Sequence, residues 1–176
     1  MHLYSGLLED NSLLSSNSRS TKLAVPNKER YFEDYVVGEQ ITYGDYLVTE
    51  HEMLEFAQRY DPQSFHLDKV EAAKSIYGGL IASGWLTGSI MMRLMADHFI
   101  SPRASMGSPG IDEVRWHLPV RAGDRLHVSV NIVATRQSRS KPDRGIVQST
   151  HEAFNQNGER VMSFKGMGMF RCRPGA

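Results

Sequence analysis

The segment that decides the fold is GGLIASGWLTGSIMMRLMADHF, residues 78–99, in which apolar side chains far outnumber polar ones. Its length would suit a membrane span, but Arg93, Asp97 and His98 interrupt it, and charges deep in a bilayer are costly. A helix that is apolar on nearly all sides is covered on most of them by other structure. The segment therefore predicts a long core helix that begins near residues 81–84 and does not enter a membrane.

Downstream of residue 111 the spacing of the apolar residues changes from helical to every second position. In IDEVRWHL, for example, Val114, Trp116 and Leu118 alternate with polar residues, which is typical of a half-buried strand. Three more segments have strand character: RLHVSVNIV, GIVQSTHEAFN and RVMSFKGMGMF. An Asn157-Gly158 hairpin signal joins the last two. We expect four antiparallel strands after the central helix.

Upstream of the central helix, a strand is predicted over residues 40–48 and a helix over residues 50–60. Thr49 and Glu52 have the spacing of a capping box at the start of that helix. Pro62 disfavours helical geometry at the residue before it, so the helix ends there. An irregular segment and one or two short helical turns then lead to the central helix.

This order of elements indicates an α+β domain in which one antiparallel sheet wraps around the long central helix. Pairing of two copies would cover a free sheet edge, so we expect a homodimer or a higher homo-oligomer. The domain is expected to span residues 29–173. The serine-rich residues 1–28 show no sustained period and are expected to form a flexible extension.

The net charge and the cysteine content indicate which partners and which cellular compartment to expect. The 176 residues include 20 basic and 20 acidic side chains, so no positive field is present to attract nucleic acid or an anionic membrane surface. The single cysteine, Cys172, has no intrachain partner. A protein without disulfides fits a reducing compartment, and we expect a cytoplasmic location.

Several chemistries lack their sequence signatures. The seven histidines show no zinc-type spacing and there is no second cysteine, so we expect no metal. The spacing of Gly79 and Gly84 is that of a phosphate loop, but Trp85 stands where the lysine belongs. No G-x-G-x-x-G or G-x-S-x-G motif occurs. Nucleotide hydrolysis, hydride transfer and serine hydrolase chemistry are therefore not expected, and no cofactor is predicted.

The segment DPQSFH, residues 61–66, carries two titratable groups five residues apart. Asp61 and His66 are suited to sharing one water molecule and moving its protons. A structural interpretation is also open, in which Asp61 only terminates a helix and His66 is a satisfied, partly buried histidine. Two interpretations are likewise open for Gly78, Gly79 and Gly84: a functional helix start, or a tight turn with close helix packing.

Taken together, these segments resemble the MaoC-like acyl dehydratases, a hot dog fold family that contains the (R)-specific enoyl-CoA hydratases. The family signature has an aspartate, an asparagine-proline pair and a histidine, followed by a glycine-bearing start of the central helix. Here it corresponds to DPQSFH and to GGLIASG, which ends at Gly84. The resemblance covers residues 31–171. Gln63 and Ser64 depart from the family's asparagine and proline, which concerns substrate preference more than the reaction.

The resemblance implies a single hot dog domain that hydrates or dehydrates acyl thioesters of CoA or of a carrier protein. It assigns catalysis to Asp61 and His66, and the oxyanion-binding N–H to Gly84, where a helix N-terminus favours negative charge. Gln63 would hold the segment or the substrate, and Ser89 would provide a secondary polar contact. A hot dog thioesterase and a non-catalytic acyl-thioester binding module are the alternatives.

Two further segments have candidate roles. The loop TRQSRSKPDRG carries Arg139 and Arg144, which would suit the phosphates of CoA, although a solvated hairpin loop is the simpler interpretation. The methionines at positions 91, 92 and 95 would fill a core or line an acyl tunnel, and core filling is favoured.

Overall fold

The computed structural model describes residues 25–175 and contains five strands and four α-helices. In chain order these are β1 (Gln40–Leu47), α1 (Glu50–Tyr60), α2 (Ser64–Leu67), α3 (Lys69–Lys74), α4 (Gly84–His98), β2 (Gly110–Trp116), β3 (Arg125–Gln137), β4 (Arg144–Phe154) and β5 (Arg160–Arg171). Two short 3-10 turns, Asn27–Glu29 and Phe32–Asp34, precede β1.

The five strands form one antiparallel sheet in the order β1-β3-β4-β5-β2. Helix α4 packs on one face of this sheet, and its buried residues join those of the strands in a single core cluster. The predicted α+β architecture, an antiparallel sheet around a long apolar helix, is confirmed. Strands β1 and β2 are the two edges of the sheet.

Helix α4 is less enclosed than its composition predicts. Its inward face is buried at Leu86, Ile90, Met91, Leu94 and Met95. On the other face, however, the side chains of Trp85 and Met92 are 61% and 51% exposed. The prediction of a helix covered on most sides is therefore wrong for a single chain, because the sheet covers one face only.

Strand β2 also differs from its prediction. We expected a half-buried strand, but every residue of β2 except Val114 is exposed. The pairing with β5 shifts register between Asp112 and Arg115, and Glu113 adopts a positive φ of 53°. Because β2 is an edge strand with a bulge, it projects Ile111 and Trp116, each 46% exposed, to the surface.

The start of α1 follows its prediction only in part. The Thr49 side chain accepts a hydrogen bond from the Glu52 N–H over 3.2 Å, as in a capping box. The Glu52 carboxylate, however, accepts a hydrogen bond from the Tyr46 hydroxyl at 2.6 Å and thereby fixes α1 to β1. The segment after Asp61 is also more regular than expected, because His66 lies on the single-turn helix α2.

The predicted flexible extension falls mostly on residues 1–24, which lie outside the described residues. At the start of the described chain, Arg30 is buried and donates hydrogen bonds to the carbonyls of Val25 (2.7 Å) and Phe99 (2.9 Å). The Asn27 amide donates to the carbonyl of Asp97 at 2.9 Å. Among residues 25–175, no helix has the length and apolar character needed to cross a membrane.

Candidate active site

Three helix ends meet on one side of the domain. Asp61 is the C-terminal cap of α1, His66 lies on α2, and Ser83 is the N-terminal cap of α4. The backbone of Ile81 joins α2 to the start of α4, since its N–H donates to the Phe65 carbonyl at 3.3 Å. The local signals that end one helix and begin the next therefore place these side chains together.

The Asp61 carboxylate is held by hydrogen bonds at both oxygens. Its Oδ1 accepts from the Gln63 amide at 2.7 Å, and its Oδ2 accepts from the Ser83 hydroxyl at 2.7 Å. Burial raises the pKa of Asp61, but the hydrogen bonds from Ser83 and Gln63 and the charge of His66 outweigh it, and the net pKa is lower than usual. Asp61 is thus ionised and fixed in orientation at neutral pH.

His66 is buried, and both of its ring nitrogens face a partner. The Nδ1 atom lies 2.9 Å from the carbonyl oxygen of Ile81. Because a carbonyl only accepts, Nδ1 carries a proton and donates it. The Nε2 atom is therefore the nitrogen that exchanges a proton, and it lies 3.2 Å from Asp61 Oδ2.

Gly84 is the first residue of α4, where backbone N–H groups lack partners within the helix. Ser83 accepts from the Trp85 N–H at 3.2 Å. The Gly84 N–H has no hydrogen-bond partner within the described part of the chain. The helix dipole adds to the positive potential at this point. A free donor at the positive end of a helix is suited to an oxyanion.

The structure also gives Gly84 a packing role. A Cβ atom at this position would lie 2.6 Å from Nε1 of Trp116, whose indole N–H donates to the Gly84 carbonyl at 2.8 Å. Glycine is therefore required for close approach of the Trp116 ring. Gly78 has a φ of 63° and closes the turn that follows α3, where its N–H donates to the Ser75 carbonyl at 3.0 Å.

A cavity of about 380 Å³ opens over these groups. Asp61, Gln63, His66 and Gly84 all line it, and its remaining wall is largely aromatic and aliphatic. The aromatic and aliphatic part includes Phe65, Tyr77, Ile81, Ala82, Trp85, Trp116, Leu118, Pro119 and Val120. Within residues 25–175, no group of three or more His, Cys, Asp or Glu side chains is arranged to hold a metal ion.

The remaining predicted residues lie outside this cavity. Ser89 is on the exposed face of α4, where its hydroxyl donates to the Trp85 carbonyl at 2.8 Å. Arg139 lies in the β3–β4 loop, and Arg144 pairs with Arg171 at the end of β5 remote from the cavity. That end is about 30 Å along the strand from the part of β5 that pairs with Trp116. One chain therefore does not bring these arginines to Asp61, and their contact with CoA stays a prediction.

Two residues of the site were absent from the sequence prediction. Ser83 is completely buried and connects the start of α4 to Asp61. Its signal was the Ser-Gly pair at the start of the predicted helix, which is a typical N-cap pattern. Trp116 was assigned only to a strand, and its contact with Gly84 depends on tertiary structure.

A scan against family models matches the MaoC like domain over residues 34–153. The 3-hydroxyacyl-thioester dehydratase Z of Mycobacterium tuberculosis is 26% identical over 118 residues, which cover 65% of this chain and 78% of that protein. The crystal structure of a MaoC-like dehydratase from Rhodospirillum rubrum is similar with a TM-score of 0.77 and 36% identity, and the match covers 82% of this chain and 99% of that one.

The fold itself has a further match. Rv0216 of M. tuberculosis, described as having a double hot dog fold, is 16% identical with a TM-score of 0.74, and the match covers 84% of this chain and 46% of that one. At that identity the likeness concerns the fold alone. The sheet and helix described above therefore form a hot dog domain, and the chain belongs to the MaoC-like dehydratase family.

Proposed function

We propose that the protein is a hydro-lyase that interconverts a 2-enoyl thioester and a 3-hydroxyacyl thioester, with CoA as the carrier. The observation that carries this proposal is the oriented Asp61–His66 pair beside the free Gly84 N–H in one cavity. The relative from M. tuberculosis named as a 3-hydroxyacyl-thioester dehydratase supports the same chemistry.

In the hydration direction, Asp61 accepts a proton from the water that attacks the β-carbon of the enoyl group. The new negative charge moves to the thioester oxygen, which the Gly84 N–H stabilises. Protonated His66 then gives its Nε2 proton to the α-carbon. Because Asp61 Oδ2 and His66 Nε2 are 3.2 Å apart, the proton taken by Asp61 can return directly to His66. One water is added across the double bond, and both side chains regain their starting charges.

The first experiment measures two products from one substrate. Crotonyl-CoA or a longer 2-enoyl-CoA is supplied, and the absorbance of the conjugated thioester is followed together with the release of free thiol. We expect reversible loss of the absorbance without thiol release. Thiol release without reversible loss of the absorbance would show a thioesterase, in which water attacks the carbonyl carbon instead.

A second experiment separates catalysis from binding alone. Asp61→Asn and His66→Ala are expected to retain affinity for a saturated acyl-CoA but to lose turnover. If wild type binds acyl-CoA, hydrates no enoyl thioester and releases no thiol, the protein is a binding module. The same substrates attached to a carrier protein, compared at equal concentration, identify the preferred carrier.

We also propose that two copies form a homodimer through β2 and the exposed face of α4. Four large apolar side chains on these two elements are 46–61% exposed: Trp85, Met92, Ile111 and Trp116. The rings of Trp85 and Trp116 lie 5.4 Å apart, and Met92 and Ile111 line one cavity, so these residues form apolar patches of the kind that marks interaction surfaces. Sedimentation should give a dimer for wild type and a monomer for Met92→Glu. Val133→Glu is the control, because Val133 is equally exposed on β3 and should not change the mass.

A further inference from the structure

A second cavity lies between the C-terminal half of α4 and strands β4 and β5. It has a volume of about 220 Å³ and is mainly apolar. The sequence FKGMGMF creates it, because Phe164, Gly166, Gly168 and Phe170 occupy alternate positions of β5 and all four line the space. Two adjacent positions on the inner face of the strand therefore lack side chains. The two glycines also admit neighbouring rings, because a Cβ atom would lie 3.0 Å from His151 Nε2 at Gly166 and 2.7 Å from the Phe170 ring at Gly168.

The wall of this cavity carries a buried polar pair. Ser149 and His151 lie on β4 opposite Gly166 and Phe164, and the Ser149 hydroxyl is 2.8 Å from His151 Nε2. The two residues are 5% and 1% exposed. The Nδ1 atom of His151 is buried without a hydrogen-bond partner among residues 25–175. A buried polar atom without a partner costs free energy, so its presence calls for a ligand or a role.

Either tautomer of His151 leaves hydrogen-bonding capacity unused. If the Ser149 hydroxyl donates to Nε2, the Nδ1–H group lacks an acceptor. If Nε2–H donates to Ser149, the serine proton is free for another acceptor and Nδ1 lacks a donor. Burial also lowers the pKa of His151 to about 4, so the ring is neutral at pH 7. The pair therefore suits an uncharged oxygen rather than a carboxylate.

The second cavity lies along α4 from the candidate active site. Gly84 and Trp85 line the first cavity, and Met92 and Met95 line the second. At 1.5 Å per residue, Met92 and Met95 lie about 12 and 16 Å along the helix from Gly84. Strand β2 spans the same distance, because Trp116 lines the first cavity and Ile111 the second. The second cavity is thus within reach of the distal half of a medium-length acyl chain whose thioester is held at Gly84.

We propose that this cavity binds the distal half of the acyl chain and that Ser149 and His151 select chains that carry a hydroxyl or keto oxygen there. The proposal rests on the function proposed above and adds the substrate class. A purely alkyl chain fills the apolar part but leaves the polar pair unsatisfied. A site built to hydrogen-bond a ligand discriminates strongly against an analogue that lacks the group.

Equilibrium binding tests the proposal independently of turnover. The probes are decanoyl-CoA and hydroxydecanoyl-CoAs that carry the hydroxyl at successive positions of the distal half, and titration calorimetry measures their affinities. For wild type, at least one hydroxylated chain should bind about tenfold or more tightly than decanoyl-CoA. Ser149→Ala and His151→Phe should reduce that ratio to about one. Thr150→Ala, on the opposite face of β4, is the control and should retain the preference.

Specific results would overturn the proposal. The first is that wild type binds decanoyl-CoA and every hydroxylated chain with equal affinity. The second is that both cavity variants keep the preference of wild type. The third is that ω-carboxydecanoyl-CoA binds more tightly than the hydroxylated chains. Turnover of the matching 2-enoyl-CoAs then shows which proposal is wrong, the hydro-lyase function or the oxygenated substrate class. Binding preference without turnover rejects only the hydro-lyase, and turnover without preference rejects only the oxygenated substrate. Absence of any acyl-CoA binding contradicts both.

Discussion

The hydroxyl of Ser83 donates a hydrogen bond of 2.7 Å to the Asp61 carboxylate while the same oxygen caps helix α4. One buried side chain thus joins the residue expected to act as the base to the helix start expected to bind the oxyanion. Ser83 therefore contributes to the position of both the base and the oxyanion donor.

Ser83→Ala should weaken catalysis and change its pH dependence. Loss of a hydrogen bond to a charged group costs about 1.5–3 kcal/mol, so kcat/KM should fall roughly ten- to hundredfold. The Ser83 hydrogen bond lowers the pKa of Asp61, so its removal raises that pKa. Because the ionised form is the base, the acid limb of the kcat/KM profile should move to higher pH. Initial rates measured across the acid range test this shift.

Thr49→Ala is the matched control for the loss of a helix cap. Thr49 caps α1 as Ser83 caps α4, but within residues 25–175 its side chain accepts a hydrogen bond only from the Glu52 N–H. Loss of the cap should cost each variant about 1 kcal/mol of folding free energy in urea denaturation, and Ser83→Ala should lose more because its hydrogen bond to Asp61 is removed as well. Only Ser83→Ala should shift the pH profile. An equal shift in both variants would mean that Ser83 acts through helix stability alone.

Asp61→Asn should remove most of the activity while the fold is kept. Asparagine retains the shape of the side chain and can still pair with Ser83, but it cannot take a proton from water. We expect kcat/KM to fall by about 10²–10⁴, the usual contribution of a general base. Gln63→Ala removes only the hydrogen bond at Oδ1 and should have a smaller effect. Unchanged kcat/KM in Asp61→Asn would exclude Asp61 as the base.

Features that depend on interactions between residues close in sequence could be predicted, whereas features that depend on contacts between distant residues could not. Helix α1 was predicted over residues 50–60 and is found at Glu50–Tyr60, because its cap and the following proline are local signals. The Asp61 to Ser83 contact spans 22 residues, and the exposure of β2 depends on its place at the sheet edge. Sequence spacing encodes neither, so the sequence offers candidate site residues but not the contacts that connect them.

Two glycines four residues apart on α4 should respond differently to alanine. In Gly84→Ala the new Cβ meets the Trp116 ring at 2.6 Å, whereas in Gly88→Ala it lies 3.4 Å from the flexible end of Met162. Gly84→Ala should displace Trp116 and reduce activity by about tenfold or more. Gly88→Ala should keep its activity and gain up to about 1 kcal/mol from helix propensity. Activity and tryptophan fluorescence are compared, and equal losses in both variants would contradict the packing role of Gly84.

His151 should make folding stability sensitive to acid. Burial lowers its folded pKa from 6.5 to about 4, so the unfolded chain binds more protons between those values and stability falls as the pH decreases through that window. From these two pKa values, His151 should cost about 2 kcal/mol between pH 7 and pH 5. His151→Phe keeps a ring that can stack on Phe164 and should lose that part of the pH dependence. Urea unfolding of both proteins at the two pH values measures the difference, and equal dependence in both would show that His151 titrates normally.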